Sequence, residues 1–290
     1  LKFGRLPERI SGWWDPAGAG TILTAAIGIH LPVALMGSGK KRVAGIMGVF
    51  ATAGGLAMTG SRGGWAASVL LVMGAGLFAL VRAGVREENR TGTALAFMSL
   101  IASFLVVGFA LRGPIADRLD KAQTQVSAAM EGDVTSDTGA RIAMKQDAIA
   151  AFAEHPVTGV GTGGFSAYSE RRHADDEQPI AHDHAHDTLL HTAASNGLVG
   201  VAFLLAAFVL AIIDAVRHAR TRGFGTLHAG PLFALAGLAL TTPFDTLHVS
   251  ASAAAVTGMI FALCLAPPIR VPHEPFDCFA DDAIRNATRG

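Results

Sequence analysis

Seven apolar runs govern what this chain can fold into. They lie near Ala17 to Met36, Val43 to Thr59, Gly64 to Val81, Ala94 to Leu111, Leu198 to Val216, Leu227 to Thr242 and Val249 to Ala266. Each approaches the roughly 20 residues that an α-helix needs to cross a hydrocarbon core. The expected fold is therefore an all-α integral membrane protein, a helical bundle of about seven spans. The shortest runs fit this reading if they tilt, extend or re-enter the membrane. Small residues such as Gly54-Gly55 and Gly74-x-Gly76 read as sites of close helix approach.

Composition narrows the function. Hydrophobic residues make up 51% of the 290 and charged ones 16%, with a mean hydropathy of +0.41, which argues against a soluble domain and against disorder. Lys and Arg number 23, as do Asp and Glu, so the broad cationic field of a nucleic-acid binder is missing. Two cysteines, Cys264 and Cys278, make neither a disulfide framework nor a thiolate metal cluster. The chain starts at Leu1 with no leader pattern, as an excerpt of a longer protein would.

Basic connectors set the orientation, because Lys and Arg near span ends stay cytoplasmic. Gly39 to Arg42, Arg82 to Arg90 and Arg217 to Arg222 fall on one side if the spans alternate. The Ser61-Arg62-Gly63 turn, the segment Arg112 to Gly197 and the connector Pro243 to His248 then face the periplasm or exterior. Lys2, Arg5 and Arg9 also fall outside, against the rule, which a missing upstream helix would explain. The expected parts are 1–111 with four spans, a folded outer loop at 112–197, three spans at 198–266 and a cytoplasmic tail at 267–290.

Within the loop, an Asp or Thr cap near Asp137 opens a helix with an apolar stripe of Ile142, Ile149, Phe152 and Ala153, stopped by Pro156. Glycines 159, 161, 163 and 164 form a turn. A polar stretch from Tyr168 to Pro179 follows, and a second helix is expected from His182 or Asp183 into the fifth span. If that helix is continuous, His186 stands about 18 Å beyond Leu198, so it should tilt or bury its apolar face from Leu189 onward.

Four features can carry chemistry. Arg62 stands in a turn too short to leave the membrane boundary and is either a phosphate clamp or an arginine snorkelling beside Trp65. Arg141 and Lys145, one helical turn apart, present two cations to an anion or to solvent. The glycine turn offers N–H donors, Gly161 among them, but no strand precedes it and no G-K-[ST] follows, so it does not read as a nucleotide loop. The segment His182-Asp183-His184-Ala185-His186-Asp187 followed by His191 is the densest. An imidazole beside a carboxylate suits a general base, while His182 and His186 at i, i+4 would suit zinc, although H-E-x-x-H is absent. Weaker candidates are His248 with Asp245, and His30 inside the first span.

Three pieces in order resemble the O-antigen ligase and polymerase family of integral membrane glycosyltransferases. They are T-G-S-R-G at Thr59 to Gly63, then G-A-R at Arg141 with E-H-P-V-T-G-V-G-T-G-G-F ending at Phe165, then A-H-D-T-L-L-H-T-A-A-S-N-G-L-V-G at Ala185 to Gly200. Arg5 to Gly12 with Asp15-Pro16 also looks like a family segment. The resemblance runs from about Arg5 to Phe208 and implies a GT-C-like bundle of around a dozen spans, of which this chain looks like the central and C-terminal part.

The resemblance carries the family's three functional positions onto Arg62, Arg141 and His186; the residues themselves add Lys145, a second cation on the Arg141 face, and Gly161, an N–H donor of the glycine turn, as expected substrate-binding positions. It implies no cofactor and no metal. The donor would be a polyprenyl diphosphate-linked glycan and the acceptor a hydroxyl of lipid A-core oligosaccharide or of a growing glycan, at the bacterial inner membrane. The chain departs from the pattern at Asp187, where Asn is usual, at Ser195-Asn196, where an acid is common, and near Lys145, where an aromatic is missing. Asp187 would strengthen His186 as a base. Polymerization of repeat units, protein O-glycosylation, and a membrane metal-binding or transport role are the rival readings. Transport sits poorly with nearly charge-free spans and no internal repeat.

Overall fold

The structure, a computed structural model, describes residues 15–86, 89–131, 136–174, 182–225 and 227–265. The expectations for Arg5 to Gly12, for the later part of the polar stretch and for the 267–290 tail lie outside the described residues. Every regular element among the described residues is helical: α1 Pro16–Met36, α2 Gly39–Thr59, α3 Arg62–Val85, α4 Arg90–Ala110, α5 Arg112–Met130, α6 Asp137–Glu154, α7 Phe165–Arg172, α8 Thr188–Arg222, a 3-10 turn Leu227–Ala229, α9 Gly230–Thr241 and α10 Ala251–Leu265.

Five helices, α1 to α4 and α8, are long and apolar enough to cross a membrane. The other two expected spans form shorter apolar helices. The last two apolar runs form helices of only 12 and 15 residues, and at 1.5 Å per residue α9 is about 18 Å long, short of a ~30 Å hydrocarbon core.

α1 is the hub. Asp15 caps it, its carboxylate accepting from the backbone N–H of Ala17 and Gly18, and Pro16 occupies the first turn, where no N–H is needed. Ile27, Leu31, Ala34 and Leu35 are fully buried among α2, α3 and α9. Backbones meet where side chains are absent: a Cβ on Gly28 would stand 2.5 Å from the Phe233 carbonyl oxygen of α9, and one on Gly45 would stand 2.5 Å from the Ala34 nitrogen. Gly76 likewise receives the Phe97 ring, whereas Gly54 and Gly74 have no neighbour within 4 Å. Only part of the expected glycine packing is therefore realised.

The start of α1, the α2–α3 turn and the end of α9 gather at one end of the bundle. The later part of α1, Lys41 of α2 and the α8–α9 junction with Arg222 gather at the other. At the first end, α4 runs through a one-residue joint at Leu111 into α5, and α6, α7 and the start of α8 pack beside it.

The loop has its own small core of Ala148, Ala151, Phe165, Tyr168, Ala185 and Ala194. Ser136, not Asp or Thr, caps α6, accepting from the Gly139 N–H. The buried face of α6 is Gly139, Ala143, Asp147, Ala148 and Ala151, while Ile142 and Ile149 are exposed. The apolar stripe expected from periodicity is thus not the packed face; small residues let α7 and α8 approach on the other side.

α8 breaks at Gly197 (φ 63°, ψ −160°), so His186 does not ride on a straight extension of the membrane helix, and Leu189 is exposed. The broken ladder is spliced by the glycine turn. Val160 and Gly161 N–H donate to the Ala194 and Ser195 carbonyls at 2.9 Å each, and Leu198 and Val199 N–H donate to the Pro156 and Val157 carbonyls. Both orphan ends created by the break are thereby satisfied. The fit is tight, since a Cβ on Gly159 (φ +68°) would lie 2.3 Å from the Ser195 carbonyl carbon.

Gly159→Ala should therefore cost roughly 2 kcal/mol or more, from left-handed strain plus overpacking. Gly113→Ala, on a helix surface with nothing within 4 Å, should be neutral or slightly stabilising. Thermal unfolding of the two variants in detergent checks this, and equal melting temperatures would contradict the splice.

Candidate active site

The T-G-S-R-G-G motif is first a turn. Gly60 adopts the left-handed conformation (φ 66°) that ends α2, and the Ser61 hydroxyl caps α3 by accepting from the Gly64 N–H. Gly63 lies against Phe244 and Gly64 against Gly20, where side chains would collide. This geometry sets Arg62 in the first turn of α3, with one guanidinium nitrogen 3.4 Å from the Thr138 hydroxyl of α6 and 3.5 Å from Gln125 Oε1 of α5.

Arg62, Arg141 and His186 all line one cavity of about 170 Å³ at this end of the bundle. Arg118 of α5 lines it too, a residue that the sequence reading did not single out. Arg118 and Arg141 act on Arg62 as like charges and Asp137 as an opposite one. The Arg118 Nε and the His186 Nδ1 are buried without a hydrogen-bond partner. Buried polar atoms are normally paired with protein, water or a ligand. Asp245 also lines the cavity; its carboxylate accepts from the Thr21 hydroxyl at 3.1 Å, and burial raises its pKa above the ordinary carboxylate value.

His186 is outside any helix. Among the described residues it alone of the non-glycines has positive φ, at 47°, a conformation uncommon for a side-chain-bearing residue and concentrated at functional sites. α8 starts only at Thr188, capped by Asp187, so the expected helix over His182 to Asp187 does not form and the i, i+4 zinc pairing of His182 with His186 loses its basis. The segment is instead clamped by the α9–α10 connector. Asp187 N–H donates to the Thr246 hydroxyl, the Thr188 hydroxyl donates to the Asp245 carbonyl at 2.7 Å, and Thr188 N–H donates to the Thr242 carbonyl.

Two expected substrate ligands are engaged elsewhere. Lys145 pairs with Asp187 at 3.2 Å and donates to the Pro243 carbonyl at 2.8 Å, and it is not on the cavity wall. Gly161 spends its N–H on the helix splice. Asp187 therefore serves Lys145 and the α8 cap, and does not act as the carboxylate partner of His186. The nearest ring to His186 is that of His184, 4.2 Å between centroids. His248 stacks on His191 at 5.4 Å and belongs to the packing beside Phe165. His30 lies against Gly48 near the opposite end.

Electrostatics follow from this geometry. Burial pushes the His186 imidazole down to about pKa 4, assisted by the Arg141 and His184 charges and opposed by Asp15. The unfolded chain takes up this proton near 6.5 and the folded one only near 4, so His186 makes stability fall as pH drops through that window and has no such effect above it. His186→Gln should flatten the decline in melting temperature between about pH 6.5 and 4; an unchanged slope would contradict the buried neutral imidazole.

Comparison with known proteins matches the same region. The family described as O-antigen ligase matches residues 47–205, more than half of the chain, including all three arginines and His186. No curated protein matches the chain. With its apolar helices, its loop and its three motifs folded around one cavity, the chain belongs to the O-antigen ligase family of membrane glycosyltransferases.

Proposed function

We propose that the protein transfers a glycan from a polyprenyl diphosphate carrier to a hydroxyl acceptor, with lipid A-core oligosaccharide as the acceptor, in lipopolysaccharide biosynthesis. The supporting observation is the meeting of Arg62, Arg118, Arg141 and His186 on one cavity wall. In this reading the protein is a GT-C-like enzyme of the bacterial inner membrane, its loop in the periplasm.

Guanidiniums fork onto phosphate oxygens with charge-assisted bonds, and three of them suit a diphosphate better than a single anion. The acceptor hydroxyl attacks the anomeric carbon, the bond from that carbon to the diphosphate oxygen breaks, and the proton of the hydroxyl passes to His186. The polyprenyl diphosphate leaves with the bonding electrons. The arginines stabilise the charge that grows on it, an electrostatic contribution of several kcal/mol, and a positioned base typically adds about a hundred- to ten-thousandfold. The arginines supply charge that a metal would otherwise provide, so the reaction as proposed is metal-independent.

Burial first, and the Arg141 charge second, keep His186 a weak base. A diphosphate beside Arg141 adds negative charge near the imidazole and raises its pKa, so donor binding readies the base for the acceptor.

His186→Ala, expressed at wild-type level, should reduce glycan transfer by at least a hundredfold, and Arg141→Lys should reduce it about tenfold or more because the bidentate fork is lost. Transfer at wild-type rates in either would contradict the assignment. Glycans from cells lacking the gene identify the acceptor class: free lipid-linked long polymer fits the ligase, and single repeats on the core would indicate a polymerase instead.

A further inference from the structure

We propose that Asp147, His173 and His182 form a site for a divalent first-row cation, best matched by zinc, which ties together the three pieces of the loop. This inference is independent of the glycan-transfer reading. Asp147 comes from α6, His173 ends α7, and His182 opens the stretch that leads to His186. Donor atoms of the three residues lie within 4.8 Å of one another.

The geometry is that of a collapsed ligand set. His182 Nδ1 stands 2.8 Å from Asp147 Oδ2, and His173 Nε2 stands 3.0 and 3.1 Å from the two carboxylate oxygens. The imidazoles meet edge to face, with centroids 5.8 Å apart. Donors at about 2.0 Å on a tetrahedral zinc are about 3.3 Å from one another, so each histidine–carboxylate separation needs to open by only a few tenths of an ångström. Asp147 and His182 are buried, and His173 is half-buried, which leaves water access for a fourth ligand.

The surroundings suit a metal. Arg172 Nε lies 3.3 Å from Asp147 Oδ1, and the Ser169 hydroxyl donates to Oδ2 at 2.8 Å while accepting from the His182 backbone N–H at 3.0 Å. Such contacts orient a ligating carboxylate. A neutral imidazole offers one ring-nitrogen lone pair to a metal ion. Two imidazoles and one carboxylate are a borderline donor set that zinc accepts in tetrahedral geometry. A bound ion would fix the distance between α6, which carries Arg141, and the segment that carries His186.

The test uses tag-free full chain in detergent. Elemental analysis should find about one zinc per chain. After chelation, added zinc should raise the melting temperature by several degrees, and added cobalt should give the visible bands of a tetrahedral site. His173→Ala and Asp147→Asn should weaken zinc binding at least tenfold, whereas His184→Ala and His248→Ala should retain it. A wild-type chain that takes up no zinc and gives no cobalt bands would overturn the proposal, as would binding that survives His173→Ala but is lost in His184→Ala. If Asp147→Asn does not fold, the wild-type cobalt spectrum decides alone.

Discussion

Repulsion among like charges is the constraint around which this end of the molecule is arranged. Arg62, Arg118 and Arg141 come from three different helices and are held close enough to act on one another or on His186. In water such guanidiniums would part. They stay together because each rides on a rigid element: Arg62 on a capped helix start fixed by glycine contacts, Arg118 on the continuation of a membrane helix, and Arg141 in the second turn of α6. The three cations stand at the rim of an apolar bundle, beside the carboxylates of Asp137 and Asp245.

Two devices hold these groups in place. One is the connector after α9, whose Thr242, Asp245 and Thr246 bind the backbone and hydroxyl groups of residues 187 and 188 while Asp245 reaches Thr21 of α1. The membrane core thereby sets the position of the histidine segment directly. The other is the splice at Gly197, where the glycine turn closes the broken helix ladder from both sides. A straight α8 would have carried the loop helix away from the bundle; the break lets residues 188–196 fold back over it.

The sequence made the gross architecture readable because apolar run length is a strong local signal, and α9 and α10 form shorter apolar helices, of which α9 packs on α1 while few residues of α10 are buried. Arg62, Arg141 and His186 were reached through motif resemblance, not spacing. Arg118 carries no motif; only the way α5 turns beside α6 reveals it. Lys145 and Gly161 each have a partner distant in sequence, Asp187 and Pro243 for the first and Ser195 for the second, which spacing along the chain does not show. The Ile142 and Ile149 stripe misled because loop helices here pack through alanine and glycine. The trio of Asp147, His173 and His182 is likewise invisible in one dimension, since its members are separated by a turn and a helix.

The most direct test of the account is the pKa of His186, read by nitrogen NMR of selectively labelled protein in detergent, first with the cavity empty and then with polyprenyl diphosphate bound. The account predicts an imidazole that is neutral down to about pH 4 without ligand and titrates higher with it, because the diphosphate places negative charge beside an imidazole that burial and Arg141 otherwise keep neutral. An imidazole whose titration is the same in both states would show that the arginines and the histidine do not share one anion site.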